Sequence, residues 1–155
     1  MRVRRRDRGF VVIAMSVAMV LLLACIGLAF DFGRIYIARN EAQVYTDAAA
    51  MTAASRLDGT LNGVKKAQAA VEHLPGNWNL GTQPFTGVIT EFSSDGIHWN
   101  QTPEKGDAPG PWTYARVTAP SNDLGIVFLR AVGGPETFRI LARSAAQSNP
   151  ARLIE

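Results

Sequence analysis

The feature that most constrains this chain is an uncharged apolar run over residues 9–30, preceded by a short basic head. The run has 22 residues, GFVVIAMSVAMVLLLACIGLAF. At about 1.5 Å per residue it would form a helix roughly 33 Å long, enough to cross a hydrocarbon core of about 30 Å. Because a helix satisfies its own backbone polar groups in lipid, the run predicts one transmembrane helix.

The head, residues 1–8, predicts how that helix is oriented. It carries one acid, Asp7, and five arginines, which are Arg2, Arg4, Arg5, Arg6 and Arg8. An excess of positive charge is typical of the cytoplasmic flank of a membrane helix. We therefore expect a single-pass protein of a bacterial inner membrane, with the head in the cytoplasm and residues 31–155 in the periplasm.

Outside the head the chain is nearly neutral, with 11 basic and 12 acidic residues. It has no basic stripe of the kind that binds a phosphate backbone, so nucleic-acid binding is not expected. The single cysteine, Cys25, excludes an internal disulfide. The exported part must therefore be held together by packing alone.

Two other kinds of N-terminal segment share some of these features. A cleavable secretory signal has a shorter apolar region, of about 7–15 residues. The tetrad LLAC, which ends at Cys25, resembles a bacterial lipobox, in which the cysteine becomes the lipidated N-terminus. The residues after Cys25 stay apolar instead of forming a polar tether, which favours a membrane helix with Cys25 as a small apolar residue inside it. The alternative is a lipoprotein or a generic membrane-tethered periplasmic binding domain.

The apolar run passes into an amphipathic helix pattern without a turn signal. Apolar residues, most of them alanine, recur at steps of three and four and form one face. They are Ile35, Ala38, Ala42, Tyr45, Ala49 and Ala53. Gly59, after Asp58, provides a stop signal. We predict a helix over about 10–57, whose exported part, residues 31–58, presents this alanine face to a sheet.

Residues 59–146 change to a turn-rich and β-prone sequence. The predicted order is helix, two or three strands, short helix and strand, which makes an α+β domain with an antiparallel sheet and helices on one face. The expected segments are a helix over 62–74 capped by Asn62, strands over 85–92, 97–100, 112–119 and 137–146, a loop over 103–111 and a helix over 123–132. Residues 147–155 are expected to form a loose tail.

The sequence contains no catalytic, cofactor-binding or metal-binding set. His73 and His98 are isolated, without a second histidine or a cysteine at metal-ligand spacing. We therefore expect no enzyme activity, no cofactor and no small-molecule substrate. The polar residues of interest are Asp31 and Arg34, which can pair on one helix face where the chain leaves the membrane, and Asp47 among the exported alanines. They are either interfacial or solvated residues, or contacts with the helix of a neighbouring subunit.

Residues 5–57 resemble the N-terminal segment of the TadE/TadG-like proteins of the tight-adherence, Flp-type pilus system. In that family a basic head precedes an apolar helix. The helix exits through a pattern like G-x-A-x-D-x-G-R-x-Y, and an alanine-rich D-A-A-A stretch follows. The matching residues are Arg8, Gly9, Gly27, Ala29, Asp31, Gly33, Arg34, Tyr36, Ala38, Arg39, Gln43, Asp47, Ala48, Ala49, Ala50, Ala53 and Ala54.

The resemblance implies a non-enzymatic component of pilus assembly or secretion, held in the inner membrane and contacting other subunits through its N-terminal helix. It adds Tyr36 to Asp31, Arg34 and Asp47 as expected interaction residues. It also implies a pilin-like arrangement, in which a long helix packs with a small antiparallel sheet.

Two departures from the family pattern refine this expectation. Pilins of this system are cleaved after a glycine and carry a glutamate five residues later, whereas Ala14 follows Gly9 at that distance here. The resemblance therefore implies a minor pilin-like protein or a membrane-held assembly factor instead of a major filament subunit. Longer TadG-like proteins also have a metal-binding Asp-x-Ser-x-Ser motif, and this chain has none, so that metal site is not expected.

Overall fold

The computed structural model of the protein describes residues 6–104 and 111–149. Its first element, α1 (Arg6–Arg56), is one continuous helix of 51 residues, about 76 Å long at about 1.5 Å per residue. The chain has no proline before Pro75, so no missing N–H interrupts the helical hydrogen bonds. The helix predicted over 10–57 is confirmed. The parts outside the described residues are 1–5 of the head, 105–110 of the expected loop and 150–155 of the expected tail.

The N-terminal part of α1 has little protein around it. Among the described residues, one helix is long and apolar enough to cross a membrane, the Gly9–Arg56 part of α1. Its most apolar 18-residue window has a mean hydropathy of 2.9, and 6% of that window is buried against the protein. A core helix of a soluble domain buries its apolar face, so the exposed surface of this segment suits a lipid environment.

The remaining elements form a domain on the C-terminal half of α1. In chain order they are α2 (Leu61–Glu72), β1 (Asn77–Trp78), β2 (Gln83–Pro84), β3 (Ile89–Ser93), β4 (Tyr114–Gly125), α3 (Phe128–Ala131) and β5 (Thr137–Gln147). β1 and β2 form a short hairpin, and β3, β4 and β5 form an antiparallel sheet in that order. The predicted α+β class, with a long helix and a small antiparallel sheet, is confirmed.

The alanine face of α1 is the seam between the helix and the domain. Its most buried members, each at most 1% exposed, include Ala38, Ala42, Ala49 and Ala53. One apolar cluster joins the end of α1 to α2 and to Phe92 of the sheet. A second cluster, nearer the uncharged run, contains Trp78, Leu124 and Ile140. Because alanine side chains are short, α1 and the sheet can approach closely, as the sequence predicted.

The largest difference from the sequence prediction lies in β4. This strand does not end at Ala119 but continues to Gly125, through a register shift between Ala119 and Asn122. A bulge lets a strand pass a proline, which otherwise signals its end. The helix predicted over 123–132 is therefore wrong in its first residues, and α3 keeps only residues 128–131. As a result, the β4–β5 hairpin extends further along α1 than expected.

The strands before β4 also differ from the prediction. The strand predicted over 85–92 is shorter at its start, because β3 begins at Ile89. The return strand predicted over 97–100 is reduced to a single bridge between Phe92 and Asn100. In the turn that precedes this bridge, the N–H groups of Ile97 and His98 donate to the Asp95 carboxylate instead of to a neighbouring strand.

Two local features were not expected from the sequence. Helix α2 is capped by Thr60, whose hydroxyl accepts a hydrogen bond from the Gly63 N–H at 3.1 Å, and not by Asn62. The loop between β1 and β2 contains Leu80, a residue with a positive φ of 60°. The carboxylate of Glu41 on α1 accepts a hydrogen bond from the Leu80 N–H at 3.0 Å and so fixes this loop to the helix.

Candidate functional site

The candidate site is the place where the β4–β5 hairpin meets α1, next to the end of the uncharged run. We call residues 126–136, which connect β4 to β5 and include α3, the hairpin tip. Just before the tip, the Arg34 guanidinium donates a hydrogen bond to the Gly125 carbonyl at 3.0 Å. The tip itself contacts α1 at residues 27–31. The hairpin therefore points along α1 toward the uncharged run.

Asp31 caps α3 from a different element. Its carboxylate accepts hydrogen bonds from the backbone N–H groups of Val127 at 3.2 Å, Phe128 at 2.7 Å and Leu129 at 2.6 Å. The first N–H groups of a helix have no partner within that helix. Val127, the cap residue of α3, offers no side-chain acceptor, so Asp31 takes that role. The side chain is buried by this contact, at 2% exposure.

The surroundings of Asp31 favour its ionised form. Burial of the carboxyl group opposes ionisation, but the three backbone N–H groups and the nearby Arg34 outweigh burial and lower the pKa of Asp31 below its ordinary value of 3.8. Arg34 also donates a hydrogen bond to the Asn79 side chain at 3.4 Å. These two charged residues thus connect α1 with the hairpin tip and with the loop between β1 and β2.

Gly27 lets the hairpin tip lie directly against α1. A Cβ atom at Gly27 would be 2.8 Å from the Phe128 side chain, too close for van der Waals packing. The Phe128 ring meets the ring of Phe30 edge-on, with 5.6 Å between the ring centroids. Gly27, Asp31 and Arg34 are spaced by four and three residues and so share one helix face. This face holds the hairpin tip.

The opposite face of the same turns points away from the domain. Ala29, Gly33 and Tyr36 have the same spacing, offset by two residues along the helix. Tyr36 is 68% exposed, and a Cβ atom at Gly33 would meet nothing within 4 Å among the described residues. Side chains here can therefore contact another molecule without disturbing the domain.

Asp47 and Cys25, also singled out from the sequence, lie away from the hairpin tip. The Asp47 carboxylate accepts hydrogen bonds from the Gln43 amide at 3.0 Å and from the Ser144 hydroxyl of β5. It therefore connects α1 to the sheet. Cys25 is exposed on the uncharged run.

Across residues 6–104 and 111–149, no group of three or more His, Cys, Asp or Glu side chains is placed to hold a metal ion. A cavity of about 500 Å³ lies between α2 and β3. Among the described residues that line this cavity, Glu72 has the one carboxylate. His98 contacts the Asp95 carboxylate at 2.7 Å, but in an exposed turn.

Residues 9–56 match the sequence model of a family described as putative Flp pilus-assembly TadE/G-like proteins. This chain carries a TadE/G-like segment. The match covers about a third of the chain and ends where α1 ends, and it confirms the resemblance drawn from the N-terminal sequence. No curated protein and no solved structure matches the chain.

The residues that match the family pattern G-x-A-x-D-x-G-R-x-Y lie on two faces of α1. Gly27, Asp31 and Arg34 hold the hairpin tip, whereas Gly33 and Tyr36 face away from it. Sequence reasoning located these residues at the end of the uncharged run but did not find the tip as their partner. The sequence contains one indication of such a contact. No Ser, Thr, Asp or Asn stands directly before α3, so a residue from another element has to cap this helix.

Proposed function

We propose that this protein is a non-enzymatic, membrane-anchored component of a Tad/Flp-type pilus-assembly or secretion apparatus. It would act as a minor pilin-like subunit or as an assembly factor. The observation that carries the proposal is the TadE/G-like match over residues 9–56, on a helix whose apolar part is exposed. Residues 9–30 would span the inner membrane, with the basic head in the cytoplasm and the domain in the periplasm.

The outward face of α1 supports a contact with other subunits of the apparatus. Four large apolar side chains on the exported half are between 60% and 68% exposed; they are Phe32, Tyr36, Val44 and Met51. They lie on one side of the helix, as a continuation of the exposed apolar run. We propose that this stripe packs against the apolar helix of a neighbouring subunit, with Tyr36 near the membrane surface.

The mature N-terminus separates this proposal from its rivals. The absence of a glutamate five residues after Gly9, where Ala14 stands, leads us to expect an uncleaved head. Mass spectrometry of the protein extracted from membranes should therefore recover the N-terminal arginine peptide. A start at Phe10 would indicate pilin-like processing. A lipidated start at Cys25 would contradict the proposed anchor and support the lipoprotein or tethered binding domain.

The functional test compares pilus assembly in a deletion strain complemented with variants. Tyr36→Ala should reduce the amount of surface Flp pili while the protein keeps normal abundance, because Tyr36 is exposed and not part of the core. Ile97→Ala is the matched control, since Ile97 is 74% exposed but lies at the far end of the sheet. A photocrosslinker at position 36 should capture another subunit of the same apparatus. Normal piliation in the deletion strain would contradict the proposed function.

A further inference from the structure

We propose that the hairpin tip is a second membrane contact, in which Val127, Phe128 and Val132 enter the outer boundary of the lipid bilayer beside α1. The inference rests on the membrane placement of residues 9–30 proposed above. It assigns lipid, and not another protein, to the exposed apolar surface of the tip.

The position of the tip along α1 determines how deep the tip would lie in the bilayer. Phe128 packs on Gly27, three residues before the run ends at Phe30, which is about 4.5 Å at about 1.5 Å per residue. The run is about 3 Å longer than a hydrocarbon core of about 30 Å. Even if this whole surplus lay at the exit end, Phe128 would be about 1.5 Å inside the hydrocarbon boundary. If the run were centred, Phe128 would be about 3 Å inside it.

The direction of the hairpin makes the tip the membrane-proximal end of the domain. At the other end of β5, the Ser148 hydroxyl donates a hydrogen bond to the Leu57 carbonyl at the end of α1. Near the tip, Gly125 is level with Arg34, and the following residues are level with Asp31. Strand β4 therefore runs antiparallel to α1 and β5 runs parallel to it, and the hairpin follows the helix until it reaches the uncharged run.

The composition of the tip suits an interfacial position. Residues 126–136 read IVFLRAVGGPE and contain two charges, Arg130 and Glu136. Val127, Phe128 and Val132 are 54%, 45% and 62% exposed. Single exposed apolar residues are common on soluble surfaces, but these three cluster within six residues beside the membrane segment. The long Arg130 side chain is exposed and pairs with Glu136 at 3.0 Å, and it can keep its charge among the headgroups.

Several backbone N–H groups of the tip have hydrogen-bond partners within the protein, as an apolar environment requires. Unpaired N–H groups are costly in lipid. Here the first N–H groups of α3 donate to Asp31. The Ile126 N–H donates to the Glu136 carbonyl, and the Gly134 N–H donates to the Leu129 carbonyl, both at 2.9 Å. The tip can therefore enter the bilayer boundary with these donors already paired.

The test measures the depth of labels on the full-length protein in vesicles of phosphatidylcholine and phosphatidylglycerol. Cys25→Ala removes the single native cysteine, and single cysteines at Val132, Ile97 and Val20 then receive an environment-sensitive fluorophore. Lipids with a doxyl group near the headgroup end of the acyl chain should quench the Val132→Cys label at least about twofold more than the Ile97→Cys label. Lipids with a doxyl group near the chain end should quench the Val20→Cys label.

Each contrary outcome has a distinct meaning. If the Val20 label were quenched but the Val132 label resembled the Ile97 label, the second membrane contact would be wrong and the anchor would stand. If lipid quenched neither Val20 nor Val132, the proposed membrane placement would be wrong, and the inference would fall with it. If the Val132 label were shielded from aqueous iodide without being quenched by lipid, a second copy or another protein would cover the tip, which also overturns the inference.

Discussion

Replacing Ala42 with leucine should overfill the seam between α1 and the sheet. Ala42 is 0% exposed and lies in the cluster that contains Trp78, Leu124 and Ile140. Leucine adds three carbon atoms at a point where the helix backbone and the sheet enclose the side chain. Overpacking of a core typically costs about 1–3 kcal/mol. Because this site is closed, we expect the upper part of that range, about 2–3 kcal/mol of the free energy of unfolding.

The assay is thermal unfolding of the full-length protein in detergent micelles. Tryptophan fluorescence is a suitable probe, because Trp78 is 2% exposed and belongs to the same cluster. The expected loss lowers Tm by about 8–15 °C for a domain of this size. Ala48→Leu makes the same change at an exposed position of α1 and should alter stability by no more than about 0.5 kcal/mol. Equal Tm values for the two variants would refute the close seam at Ala42.

Three further changes test the anchor, the core and an acidic turn. Replacing both Val20 and Leu22 by arginine should abolish membrane retention, since each charge costs about 2.5–3.5 kcal/mol at the helix centre. Normal abundance of the variant in the membrane fraction would contradict a single-helix anchor. Phe92→Ala, at a fully buried position, should cost about 3–5 kcal/mol in denaturant unfolding, and a cost below about 1 kcal/mol would be inconsistent with the core. Hydrogen bonds from the His98 side chain and from backbone N–H groups lower the pKa of Asp95. The ionised carboxylate therefore stabilises the fold above pH 3.8, and this contribution is lost as the pH falls through the lowered pKa. The Tm difference between wild type and Asp95→Asn should therefore be largest at neutral pH and shrink in acid; a difference that does not depend on pH would argue against this role.

Helix α1 was predictable because its sequence signals are local. The uncharged run, the spacing from Ile35 to Ala53 and the absence of proline before Pro75 each act within a few residues along α1. The buried alanine face and the continuous helix confirm them. The TadE/G-like match covers this same helix, which explains why the resemblance was clearest there.

The site at the end of the uncharged run was predictable only in part, because its other half is distant in sequence. Asp31 and Arg34 looked like a local pair three residues apart, but the N–H groups that Asp31 binds lie 96 to 98 residues away. The sequence predicted that a strand ends at residue 119 and that a helix follows over 123–132. Pairing of residues 122–125 with β5 overrode that local preference and extended the hairpin to α1.

The most direct measurement is amide hydrogen exchange of the hairpin tip in the full-length protein and in Asp31→Ala, which removes the side-chain acceptor. The amides of Val127, Phe128 and Leu129 should be protected in the wild type, because they donate to the Asp31 carboxylate. In the variant they should exchange roughly tenfold faster or more, while the amide of Val117, in the centre of the sheet, keeps its protection. Equal exchange of the tip in both proteins would contradict the claim that Asp31 holds the domain to α1 at the end of the uncharged run.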